Sequence, residues 1–148
     1  MIESLMVVDD DEDDREILSS LVTEIAPGIS LSVATNGHDA LQKLKYLQSV
    51  PDIIFLDINM PVMDGYDATR AIRALESGTA KRTPVIAVTA YALAGDREKC
   101  LAAGMDDFLA KPYALLDLRP KLRRWVRRTA QGMSALTLSG NATDLFSR

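Results

Sequence analysis

The chain has 148 residues, 47% hydrophobic and 26% charged, with a formal net charge of −4. That balance predicts one globular domain with a real core and argues against a nucleic-acid binder working by bulk electrostatics. Its single cysteine, Cys100, rules out an internal disulfide, and no apolar run approaches the roughly 20 residues a membrane helix needs. The N-terminus is acidic where a signal peptide would be basic, so the expectation is a cytoplasmic protein with no membrane partner.

Leu5-Met6-Val7-Val8 is a short apolar run that stops at the six acids Asp9 to Asp14. Ile17, Leu18, Leu21, Val22 and Ile25 follow at helical spacing, with acids in the first turn where the helix dipole favours them. Pro27-Gly28 ends that helix, and Ile29 to Val33 alternates as an edge-type strand does. Asn36-Gly37 opens a second helix carrying Ala40, Leu41, Leu44 and Leu47.

Ile53-Ile54-Phe55-Leu56 has no exposed face and ends in Asp57, so it reads as a central strand buried on both sides. Gly65 to Leu75 reads as a helix and Thr83 to Ala90 as a fourth strand. A shorter helix with Gly95 near its start runs to Ala103, with Gly104 at its C′ position, and Phe108-Leu109-Ala110 is a fifth strand. Leu115, Leu118, Leu122 and Trp125 form the seam of a last helix. Pro120 predicts a late start for it, with Asp117 as N-cap and Ala114 to Leu116 as a separate turn. The organisation expected is a domain over residues 1–129 and a mobile tail, rich in Ser, Thr, Gly and Asn, over residues 130–148.

Five strands alternating with helices predict an α/β, doubly wound parallel sheet of flavodoxin-like order 2-1-3-4-5. In that order the carboxyl ends of the strands bring Asp9, Asp10, Asp57, Thr89 and Lys111 to one crevice. Three converging carboxylates repel unless a cation is present, and oxygen-only ligands suit Mg²⁺. Lys111 adds a point charge for an anion and Thr89 a hydroxyl donor, a set suited to phosphoryl transfer onto a carboxylate.

Four separated motifs carry a resemblance: Val7-Val8-Asp9-Asp10, Asp57-Ile58-Asn59-Met60-Pro61-Val62-Met63-Asp64-Gly65, Val88-Thr89-Ala90 and Lys111-Pro112. Over about residues 3–128 the sequence resembles the response-regulator receiver domains of two-component signalling, including those of hybrid histidine kinases. The resemblance implies Asp57 as phosphoacceptor and Asp10 as a direct Mg²⁺ ligand. Asp9 would act through metal-bound water, and Asn59 would offer its backbone carbonyl to the metal. Thr89 and Lys111 would hold the phosphoryl oxygens, and Phe108 is either the aromatic that turns inward as Thr89 moves or a plain core residue that the fold needs near that strand. It further implies a cis Lys111-Pro112 bond, and Asn59 and Tyr91 as residues that tune the phosphoryl lifetime.

The function expected is a monomeric signalling switch rather than an enzyme. It would take a phosphoryl group from a histidine kinase or histidine phosphotransfer protein, then present its helix 4–strand 5–helix 5 face to a downstream protein. The initiator methionine just before the first strand favours a stand-alone regulator, whereas Asp96 to Asp107 resembles the receivers of hybrid kinases, so both remain open. His38, the lone histidine, sits where an exposed helix residue belongs, which argues against the chain being the phosphohistidine partner. Asp11 to Asp14 are read as surface and dipole residues, and Cys100 as packing on a helix face. The basic run Arg119, Lys121, Arg123, Arg124, Arg127 and Arg128 is either a solvated helix face or part of the docking surface.

Two other classes compete. A haloacid-dehalogenase-like phosphatase would need an acid two residues after the nucleophile, and Asn59 stands there. A nucleotide binder would need a glycine-rich first loop where this chain has acids.

Overall fold

The computed structural model describes residues 3–46, 50–90 and 95–133, with side chains as far as residue 125. Leu47, Tyr91, the Arg127 and Arg128 side chains and the segment from residue 134 lie outside the described part. The elements run β1 (Ser4–Val8), α1 (Glu12–Ile25), β2 (Ser30–Ala34), α2 (Gly37–Tyr46), β3 (Ile53–Asp57), α3 (Gly65–Glu76), β4 (Val85–Thr89), α4 (Asp96–Ala103), β5 (Asp107–Ala110) and α5 (Leu115–Met133). All strand pairs are parallel and the order is β2-β1-β3-β4-β5, as the alternation predicted.

Strand periodicity divides the core in two. Met6, Val8, Ile54, Leu56, Val85 and Ala87 face one way, against Ala40 of α2, Ala68 and Ile72 of α3 and Cys100 of α4. Leu5, Val7, Ile53, Phe55, Ile86, Val88 and Leu109 face the other way, against Leu18 and Val22 of α1 and Leu118, Leu122 and Trp125 of α5. Each fully buried side chain of this size contributes roughly 1.5–3 kcal/mol. Because β3 is buried throughout, Asp57 at its end is carried into the crevice by a rigid strand.

Local chemistry sets the helix ends. Asp11 caps α1, its carboxylate accepting the backbone N–H groups of Asp13 (2.8 Å) and Asp14 (3.3 Å). Gly65 opens α3 against the end of β3. A Cβ there would lie 2.7 Å from both the Asp57 carbonyl oxygen and the Ile58 Cα, so only glycine fits. Gly104 closes α4 in the left-handed region, with φ 103°.

The last helix departs from expectation. It begins at Leu115, not after Asp117, and Pro120 lies inside it. Asp117 works from the third helical position and reaches back to accept the Ala114 backbone N–H at 2.9 Å. The bond Pro120 cannot make would have gone to the carbonyl of Leu116, a residue 88% exposed, where water can serve instead. The helix continues past residue 129, where the tail was expected to begin.

Candidate functional site

The sheet ladder delivers the site residues to one edge. Asp9 continues β1 with its N–H on the Ala34 carbonyl (3.1 Å), Asp57 pairs with Val88, and Lys111 donates its N–H to the Thr89 carbonyl at 2.7 Å. Asp9, Asp57 and Thr89 are buried, while Asp10 is exposed. Carboxylate oxygens of Asp9, Asp10 and Asp57 lie within 4.8 Å of one another. Three hard oxygen donors at that spacing fit a divalent cation such as Mg²⁺.

Burial and the neighbouring Asp9 carboxylate together push the Asp57 carboxyl up to about 7, against the pull of Lys111. The Asn59 backbone N–H lies 3.4 Å from Asp57 Oδ1. Asp9 is fixed more firmly: its Oδ1 accepts the Asp11 N–H at 3.0 Å, and its carbonyl accepts Arg15 Nη1 at 2.8 Å.

Lys111 Nζ lies 2.8 Å from Asp14 Oδ2, 3.1 Å from Asp9 Oδ2 and 3.8 Å from Asp57 Oδ1. Burial alone would lower its pKa, but the bonds to Asp14 and Asp9 raise it well above the usual lysine range. Asp14 is therefore not only a surface and dipole residue. Capping at Asp11 turns position 14 toward the crevice, a signal present in the sequence but masked by the run of acids around it. Arg15 was likewise missed. Lys111-Pro112 is cis, as the resemblance implied.

Phe108 is half-buried against the α2–α3–α4 side of the core, facing Ala87 of β4 in register. Asn59 is exposed at the rim. Pro61, Val62 and Met63 form a tight turn in which the Met63 N–H meets the Pro61 carbonyl at 2.8 Å. Val62 stands at its apex with φ 71°, fully exposed. His38 is exposed and Cys100 buried, both as expected. Among the described residues, no helix is long and apolar enough to cross a membrane.

A parallel 2-1-3-4-5 sheet with an acid cluster and a lysine at its carboxyl edge defines a CheY-like receiver. The chain matches the family described as response regulator receiver domain over residues 5–123, and it belongs to that family. It is 40% identical over 121 residues to hybrid signal transduction histidine kinase G of Dictyostelium discoideum, covering 82% of this chain and 3% of that protein. Across the hybrid kinases it matches first, it spans between 3% and 15% of their length.

Among solved structures it is similar to the receiver domain of sensor histidine kinase PA1611 of Pseudomonas aeruginosa, which holds a magnesium ion in its active-site cleft. Identity there is 37%, the TM-score is 0.72, and the match covers 85% of this chain and 98% of that one. It is also similar to a chain in the co-crystal structure of the Saccharomyces cerevisiae phosphotransfer protein Ypd1 with the receiver domain of Ssk1. That match has 29% identity and a TM-score of 0.73, covering 84% of this chain and 88% of that one.

Proposed function

We propose that Asp57 accepts a phosphoryl group from a phosphohistidine donor in a Mg²⁺-dependent reaction, and that the modified domain then controls a partner or passes the group on. The observation that carries this is the position of Asp57: a buried carboxylate at a strand end, flanked by two further acids and a lysine. An ionised Asp57 oxygen attacks phosphorus, the P–N bond of the donor breaks, and its electron pair leaves on the imidazole nitrogen. Asp9, Asp10 and Asp57 would hold Mg²⁺, with the Asn59 carbonyl completing the protein ligands. When bound, the ion supplies positive charge that keeps Asp57 ionised and offsets charge on the phosphoryl oxygens. Lys111 neutralises one oxygen once it leaves Asp14, and the Thr89 hydroxyl serves another. Phe108 turns inward as Thr89 moves, shifting the population of the α4–β5–α5 face.

The donor is a histidine kinase or a histidine phosphotransfer domain, by the chemistry of the site and the likeness to the receiver that binds Ypd1. Its docking surface is the crevice rim. Ile17 is half exposed there, and with Asp14, Ala90, Lys111, Pro112 and Tyr113 it lines a hollow of about 500 Å³. Incubation with acetyl phosphate, with and without Mg²⁺, tests the reading by intact mass. A Mg²⁺-dependent, hydroxylamine-labile gain of one phosphoryl group, absent in Asp57→Asn, is expected. No adduct on folded protein would overturn it.

A further inference from the structure

Asp107 opens β5 with its side chain only 8% exposed and both oxygens engaged. Oδ1 accepts Lys121 Nζ at 2.7 Å and the Phe108 backbone N–H at 2.8 Å. Oδ2 accepts Trp125 Nε1 at 3.0 Å, and Arg124 Nη1 lies 3.9 Å away. Burial would raise the carboxyl, but the bonds from Lys121 and Trp125 outweigh it and hold Asp107 below the usual range. The ammonium gripped in this way lies 5.5 Å from the centroid of the Phe108 ring. A buried carboxylate thus holds a cation over a half-buried aromatic three residues before Lys111.

We propose that Lys121, held by Asp107, restrains the Phe108 ring in its half-buried position and so sets how readily the domain switches; this rests on the reading of Phe108 as the moving aromatic. The attraction between ammonium and ring face is made only while the ring lies beneath Lys121. A contact made in one state alone weights the equilibrium toward that state, and removing it raises the other population by the same factor. For a partly exposed cation–ring contact that factor is about two- to five-fold. Lys121 lies outside the buried seam of Leu118, Leu122 and Trp125, so removing its charge leaves the apolar contacts of α5 in place. The plainer alternative is that Asp107 and Lys121 merely clasp α5 to β5.

The test compares Lys121→Met, which keeps the stem and removes the charge, with Lys121→Arg, which keeps a cation, and Asp107→Asn, which releases the grip. Ring resonances of Phe108, assigned through Phe108→Leu, are recorded in the unmodified protein, and beryllofluoride affinity is measured with Mg²⁺. In Lys121→Met and Asp107→Asn the resonances should move toward those of beryllofluoride-saturated wild type, and the affinity should tighten about two- to five-fold. Lys121→Arg should stay near wild type. An unmoved ring, or an affinity unchanged where wild type does bind, overturns the proposal and leaves a clasp. If wild type binds no beryllofluoride, the receiver chemistry itself fails, and ring movement in Lys121→Met alone decides whether Lys121 restrains Phe108.

Discussion

Lys111 sits 2.8 Å from Asp14 but 3.8 Å from Asp57, so the crevice cation is committed first to helix α1. A phosphoryl group on Asp57 has to draw it away. Removing that competitor should therefore favour the modified state. Asp14→Asn is expected to tighten beryllofluoride binding by about 1.4- to five-fold, because a partly exposed ion pair is worth about 0.2–1 kcal/mol. Lys111→Met should abolish binding. Titration of both variants against wild type checks this, and equal affinities for Asp14→Asn and wild type would refute the competition.

Asp57 gives the fold a pH dependence of defined sign. Its carboxyl titrates at about 7 in the folded protein, above the 3.8 of a free side chain. The neutral form is thus favoured by folding. That stabilisation is complete below about pH 4, falls as pH rises, and is gone above about 7. Asp57→Asn should match wild type near pH 4 without metal and exceed it by about 2–4 kcal/mol at pH 8, at about 1.4 kcal/mol per pH unit. Mg²⁺ should erase most of the difference by favouring the carboxylate. Urea denaturation at pH 4, 6 and 8, with and without Mg²⁺, measures it.

The sheet was legible because its signal is one-dimensional. Ile53 to Leu56 leaves no polar face, so burial on both sides followed from the run itself, and Asp57 at its end marked the crevice. Contacts made by turning a helix were harder to read. Asp14 looks like its acidic neighbours until the Asp11 cap fixes the phase of α1, and only then does residue 14 meet Lys111. Pro120 misled because a rule about proline in helix interiors outweighed a weaker one, the ability of Asp117 to cap from inside the first turn.

Arg73 shows a further limit, since its partners come from separate segments. Its Nε and Nη2 donate to the Gly104 carbonyl at 2.9 and 2.8 Å, and Nη2 also reaches Asp106 at 2.7 Å. Nη1 donates to Glu76 at 2.7 Å and to the Thr83 carbonyl at 2.8 Å. With Asp106 holding the Val85 N–H at 2.9 Å, this guanidinium ties the end of α3 to the starts of β4 and β5. Arg73→Ala should cost about 3–5 kcal/mol in urea denaturation, as breaking a largely buried pair does. Arg73→Lys should recover less than half, because one ammonium cannot serve the five acceptor contacts.

Val62 carries strain beside the site without using its side chain. At φ 71°, with the Met63 N–H closing onto the Pro61 carbonyl, it is the apex of a γ-turn that β-branched residues avoid. Its side chain is fully exposed, so nothing in the fold is gained from packing it. Asparagine tolerates the left-handed region, and Val62→Asn should raise stability by about 1 kcal/mol. If the exposed valine serves donor docking, the same variant should slow phosphotransfer from a phosphohistidine protein while leaving acetyl phosphate labelling unchanged. Loss of both rates together would mean instead that the strained turn positions Asp57, and a stability below wild type would show that the strain is relieved elsewhere.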